Sequence, residues 1–323
     1  MEAKLLMASS PATLSSPHGS SSRPNYLLPL KAMQSNSFAC LSSSLPKKPN
    51  LSVQAASTSI GSLATKKRVD ETDSLTLEGI RHSLIRQEDS IIFSLLERAQ
   101  YCHNLPTYDP NALPVDWFHG SLVEHILKET EKLHGQVGRF SSPDEHPFFP
   151  DDVPEPVLPP LHYPQVLHPI ANSININSKV WEMYFRDIIP RLVKEGDDGN
   201  YGSTAVCDTM CLQALSKRIH YGKFVAECKF RSNPNAYEAA IIEQNRDKVM
   251  ALLTYPTVEE AIIKRVEMKA KTYGQEVTLY EGEKKNPNLV YKIKPTLVAD
   301  LYGDWIMPMT KEVQVEYLLR RLD

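Results

Sequence analysis

Arg218 and Lys229 lie eleven residues apart in ALSKRIHYGKFVAECKF, residues 214–230. The stretch otherwise reads as buried helix. At 3.6 residues per turn, eleven residues make nearly three turns. The two cations therefore share one face, about 16 Å apart along the axis. Two long cationic side chains leaning toward each other from an apolar helix could bracket a small anion. Taken alone, they also fit structural ion pairs with Glu227 or Asp208, and that reading stays open.

Other polar residues are embedded in apolar helical patterns: Arg81, Glu259, Thr310, Lys311 and Gln314. Each has an ordinary explanation as well. Arg81, between Ile80 and Leu84, fits a side chain that runs its stem along apolar surface to water. Glu259, beside Glu260 at the start of TVEEAIIKRVEMKAK, complements a helix dipole. Thr310 fits a cap behind Pro308, with Gln314 one turn on. No nucleophile elbow, phosphate-cradling glycine loop, HExxH motif or paired-cysteine zinc site occurs. The set suits a helical interior that collects cations and neutral donors around a small dianion.

The elements that must position these residues are helices. SLTLEGIRHSLIRQEDSIIFSLLERAQY carries apolar residues at helical spacings and, after Gly79, continues for more than 20 positions without Gly or Pro. SLVEHILKETEKLHGQVGRF is amphipathic again, and further helices are expected over 178–195, about 202–231, 234–254, 257–273 and 295–322. Residues 142–170 hold too many prolines for a regular helix or a central strand. Phe148, Phe149, Leu158, Leu161 and Tyr163 between them point to an extended segment packed along the domain. Alternating strand patterns are almost absent. The expected fold is all-α, a multi-helix bundle of about a dozen helices with no significant sheet.

Composition bounds the function. The 323 residues are 23% charged with a net charge of −3, giving no basic excess for nucleic acid and no apolar run long enough for a membrane span. Residues 1–65 differ in kind: 16 of them are serine, Glu2 is the only acid, and basic residues are scattered. That is the pattern of an organellar transit peptide, plastid rather than mitochondrial because arginine is scarce. Cleavage is expected near Ala55–Lys67, leaving a folded domain over 66–323. A generic disordered tail is the plainer alternative. Of the five cysteines, Cys207 and Cys211 are helical neighbours, expected as reduced packing thiols.

Four segments in order carry a family resemblance: SLTLEGIRHSLIRQEDSIIFSLLERAQY, RFSSPDEHPFFPD, ALSKRIHYGKFVAECKF and MTKEVQVEYLLRRL. Together they resemble the eukaryotic all-helical chorismate mutases of fungi and plants, from about residue 74 to the C-terminus. The resemblance implies conversion of chorismate to prephenate, a unimolecular [3,3] rearrangement that uses no cofactor. It implies that Arg81 and Arg218 grip the substrate carboxylates, that Lys229 reaches the ether oxygen and a carboxylate, and that Glu259 accepts from the ring hydroxyl. Thr310 and Lys311 match residues of the pocket wall. Gln314 stands where fungal members have a glutamate that must be protonated. A glutamine donates without titrating, so activity is expected to be nearly flat from mildly acidic to alkaline pH. Tyr255 stands where fungal members have an asparagine, which leaves its role open.

The resemblance also implies a homodimer regulated by aromatic amino acids at its interface, between the helix ending GQVGRF and the loop GDDGNYGS. Gly138, Arg139, Asn200, Gly202, Ser203 and Val206 are the corresponding positions. Gly138 and Val206 depart from the fungal arginine and threonine. Resemblance to plastid members implies inhibition by phenylalanine and tyrosine and activation by tryptophan. The rival reading is a catalytically silent helical dimer that senses aromatic amino acids; it would not need the full polar set.

Overall fold

Thr76 starts the first helix, α1 (Leu77–Arg98), by accepting the Gly79 N–H on its side chain at 3.1 Å. Ser121 and Glu124 form a reciprocal capping box at the head of α2 (Leu122–Gln136). The chain continues through α3 (Asn177–Met183), α4 (Ile189–Leu192), α5 (Tyr201–His220), α6 (Gly222–Ser232), α7 (Pro234–Ile242), α8 (Arg246–Leu253), α9 (Pro256–Gly274), α10 (Pro295–Leu301) and α11 (Met307–Leu319). This computed structural model describes residues 76–113, 118–159, 163, 165–276 and 290–323, all within the unit Ala64–Asp323. The leader expected over 1–65, its cleavage region, Cys40, Leu161 and the EGEKKNPN loop lie outside the described residues. Among the described residues there is no strand; Gln275 and Tyr291 form an isolated antiparallel bridge. Eight of the eleven α-helices reach eight residues, so "about a dozen" holds only loosely. No helix among them is long and apolar enough to cross a membrane.

Helix α5 is central, packing against α1, α2 and α11, while α6 packs on α11 and α9 on α1 and α10. Ile92, Leu95, Leu212, Leu215, Ile219 and Val313, all fully buried or nearly so, form the shared core. Cys207 and Cys211 are buried, unpaired thiols on α5.

The sequence pattern is interrupted in four informative places. Residues 202–231 are two helices, separated at Tyr221, where the Phe224 N–H bonds back three residues to the Tyr221 carbonyl at 3.1 Å. Residues 234–254 divide into α7 and α8 around Gln244, which adopts φ +49°, after which Asn245 caps α8. Two π-turns, Tyr184–Ile188 and Tyr302–Ile306, each end two residues before a proline, Pro190 and Pro308. A proline inside a helix clashes with the carbonyl four residues back; widening the preceding turn lets the chain continue.

The proline-rich segment is irregular apart from short 3₁₀ turns and is held by buried side chains. Glu131 accepts the Phe148 and Phe149 N–H groups at 2.9 to 3.0 Å. Lys223, fully buried, donates to the Ala171 and Ile174 carbonyls at 2.7 Å and contacts His146 Nε2 at 2.6 Å. Phe148 and Phe149 pack on the core, whereas Leu158 faces solvent.

Candidate active site

One cavity of about 450 Å³ is lined by all seven residues that the sequence singled out: Arg81, Arg218, Lys229, Glu259, Thr310, Lys311 and Gln314. Five helices meet there. α1 supplies Arg81 in its second turn, α5 ends with Arg218, α6 brings Lys229, α9 brings Glu259, and α11 supplies the other three. Leu84, Val225, Ile262 and Met307 form apolar wall between them.

Arg218 is 3% exposed and burial lowers its pKa from the usual arginine value. Its Nη1 donates to Thr310 Oγ1 at 3.2 Å, and its Nε has no partner among the described residues. Thr310 is not a helix cap: its own hydroxyl donates to the Ile306 carbonyl at 2.6 Å inside a continuous run from the π-turn into α11. With its proton committed there, Thr310 presents lone pairs to Arg218 and fixes the guanidinium.

Neither acid proposed as an ordinary partner is available to Arg218 or Lys229. Asp208 is taken by Arg98 at 2.7 Å and by the hydroxyls of Tyr184 and Tyr108 at 2.7 and 2.8 Å. Glu227 is taken by Arg231, Arg321 and Tyr317 at 2.6, 2.7 and 2.5 Å. Arg218 therefore has no ion-pair partner among the described residues. A buried cation without a carboxylate is costly unless an anion arrives.

Lys229 donates from Nζ to the Leu253 carbonyl at 2.9 Å, and its ammonium lies 4.7 Å from the Tyr255 ring centroid. Burial pushes its pKa down to about 8, against the opposing pull of Glu259. Lys311 bonds both oxygens of Glu259 at 3.1 Å. Gln314 is buried, and its Oε1 has no partner among the described residues. Arg81 is exposed at the rim, with no ion pair among the described residues. The cavity thus combines three cationic groups not neutralised in pairs, one braced acid and one neutral amide.

The chorismate mutase type II family model matches residues 200–315, the span that contains every cavity helix except α1 and the end of α11. Chorismate mutase 1, chloroplastic, of Arabidopsis thaliana is 64% identical over 342 aligned positions, covering 100% of each chain. The crystal structures of AtCM1 with tyrosine and with phenylalanine bound in the allosteric site align with a TM-score of 0.72 at 72% identity, covering 79% of this chain and 100% of theirs. Aro7p chorismate mutase from Candida albicans, in complex with L-Trp, aligns with a TM-score of 0.73 at 40% identity, covering 78% and 94%. The chain belongs to the chorismate mutase family.

For a chorismate mutase the cavity also holds residues that sequence pattern did not single out. Tyr237, Ser232 and Asn233 line it from the α6–α7 junction. Tyr237 reads as one more core aromatic in PNAYEAAII, so no local signal marked it.

The candidate effector positions are not gathered in one chain. Arg139 contacts His134 Nδ1 at 2.8 Å, donates to Gln213 at 3.0 Å and pairs with Glu145 at 2.9 Å. Gln213 lies eleven residues beyond Gly202 on α5, about 16 Å along the helix. Asn200 precedes α5, Gly202 and Ser203 lie in its first turn, and Val206 is exposed one turn later. Gly138 adopts φ +79°, a turn conformation that favours glycine over the arginine found at this position in fungal members.

Proposed function

We propose that the protein isomerises chorismate to prephenate, with Arg81, Arg218, Lys229, Glu259, Thr310, Lys311 and Gln314 as its site. The observation that carries this reading is Arg218: a buried guanidinium, anchored by a neutral hydroxyl and left without a carboxylate, facing a cavity that Lys229 also faces.

The rearrangement breaks the ether C–O bond and forms a C–C bond within one molecule, so no nucleophile or net proton transfer is required. Catalysis comes from selecting the chair-like conformer and stabilising charge on the departing oxygen. Arg218, pre-aimed by Thr310, takes one carboxylate and Arg81 at the rim takes the other. Lys229 and the Gln314 amide donate to the ether oxygen as it gains negative charge. Glu259, braced by Lys311, accepts from the ring hydroxyl and orients the ring. The apolar walls keep water out, so each charge acts at low dielectric.

We further propose a plastid location, a homodimer, and control by aromatic amino acids, with phenylalanine and tyrosine inhibiting and tryptophan activating. The chloroplastic relative and the AtCM1 complexes support the location and the effectors. Leu133 and Val137 on or just past α2, with Val206 and Met210 on α5, expose 47 to 63% of their surface, a suitable apolar face for a second copy. The separation of Arg139 from Gly202 within one chain supports a site built from two copies.

The test is loss of chorismate absorbance on mixing with purified protein. Turnover far above buffer, reduced at least about a hundredfold by Arg218→Ala, is expected. No acceleration by the wild type would leave the silent sensor as the better reading.

A further inference from the structure

Tyr255 breaks a local rule. It is the N-cap residue of α9, with Pro256 following, and its side chain makes no capping hydrogen bond. Ser, Thr, Asp or Asn at an N-cap stabilise a helix by about 1 kcal/mol relative to residues that cannot cap. A tyrosine here also leaves a large ring 50% exposed. Such departures from local preference occur where another demand overrides them.

That demand is visible at Lys229. An ammonium has three N–H donors. One meets the Leu253 carbonyl at 2.9 Å, and the Tyr255 ring lies over the same nitrogen at 4.7 Å from its centroid. Both partners come from the junction of α8 and α9, Leu253 as the last residue of α8 and Tyr255 just before α9, and Tyr255 also lines the cavity. With a carbonyl on one side and an aromatic face on another, a single N–H remains for the cavity. Glu259, four residues beyond Tyr255, also attracts this ammonium and Lys311 repels it, but Lys311 and Glu259 are bonded to each other.

We propose that Tyr255 is a positioning residue that acts through Lys229: its ring holds the ammonium against the cavity so that one N–H points at the ether oxygen of the substrate. The ring does so by cation–π attraction and by covering one face of the nitrogen from water. This rests on the chorismate mutase reading for its kinetic consequence, but the seating of the ring does not.

Tyr255→Ser separates the two roles of the position, because serine can cap α9 while the ring is lost. It is expected to melt at or above the wild-type temperature, with kcat lowered about tenfold and KM changed less than about threefold. Tyr255→Phe keeps the ring and is expected within about threefold of wild type. In a Lys229→Gln background, Tyr255→Ser is expected to cost less than about twofold more, since the group it acts through is gone. An equal loss in that background, a failure of phenylalanine to restore the rate, or a melting point that falls with the rate would overturn the proposal. The seating is read separately by NMR of selectively labelled lysine in the full chain. The Lys229 ε-CH₂ protons should show a ring-current upfield shift in wild type and Tyr255→Phe that Tyr255→Ser abolishes. Wild type without that shift would overturn the proposal even with full activity. Wild type with the shift but without turnover would sink only the enzymatic reading.

Discussion

Gly222 and Thr310 meet with no room between them: a Cβ on Gly222 would lie 2.7 Å from the Thr310 carbonyl oxygen and 3.2 Å from its Cγ2. This contact sets the distance between α6 and α11. It also seats the Thr310 hydroxyl 3.2 Å from Arg218 Nη1.

Gly222→Ala should therefore push the two helices apart. The expected cost is about 1–3 kcal/mol in denaturant unfolding, as for other overpacked positions, despite the better helix propensity of alanine. A fall in kcat/KM should accompany it as Arg218 loses its anchor. Unchanged stability would mean that α11 can yield freely at this point.

The flat pH profile expected from Gln314 alone is confined to kcat. Lys229 in the free protein has its pKa pushed down to about 8 by burial, and only the charged form serves the substrate. As pH rises through that value the ammonium is lost, so kcat/KM should decline on the alkaline side. A bound dianion favours the charged lysine and keeps kcat level to higher pH. Lys229→Arg should remove the alkaline limb of kcat/KM even if it is slow. Gln314→Glu should add a fall in kcat above neutrality. Both follow from pH–rate profiles taken at saturating and at low substrate.

Glu227 is one carboxylate whose protonation in acid removes stability. Burial works to raise its pKa, but hydrogen bonds from Arg321, Tyr317 and Arg231 outweigh that and hold it below the ordinary 4.5. A depressed carboxylate contributes stability that is present above 4.5 and is lost as pH falls through the folded value. Glu227→Gln should cost about 2–3 kcal/mol at neutral pH, less than a fully buried pair because Arg231 and Arg321 reach solvent. The loss should shrink in urea titrations run below pH 4.

Gly202→Pro tests the effector site. In the first turn of α5 a proline is sterically acceptable, and Gly202 has open space around its α-carbon. Removing that N–H should blunt the response to tyrosine and tryptophan while leaving basal turnover near wild type. Intact responses to both would exclude the first turn of α5 from the site.

Much of the molecule was legible in its sequence. The apolar spacing of residues 77–98 and 122–136 places α1 and α2, and the density of proline over 142–170 excludes regular structure there. Less visible were the breaks. Tyr221 and Gln244 carry no strong stop signal, and the helices expected over 178–195 and 295–322 run through Pro190 and Pro308 without showing the π-turns that precede them.

The site shows where each kind of information stops. Spacing alone put Arg218 and Lys229 on one face of a single helix, whereas the break at Tyr221 places them on two helices, α5 and α6, that face one cavity. The pattern of polar residues embedded in apolar helices singled out Arg81, Glu259, Thr310, Lys311 and Gln314, and the family resemblance gave them roles. Whether the two cations were neutralised in place was open, because Glu227 and Asp208 are near in sequence. The tertiary structure decided it. Glu227 is bonded by Tyr317 and Arg321, ninety or more residues away, and Asp208 by Arg98, 110 residues away. Helical periodicity fixes neighbours within one helix, whereas the partner of a buried charge is chosen by packing between helices. The ring over Lys229 is set the same way, by a loop that returns to α6 only when α8 and α9 are folded.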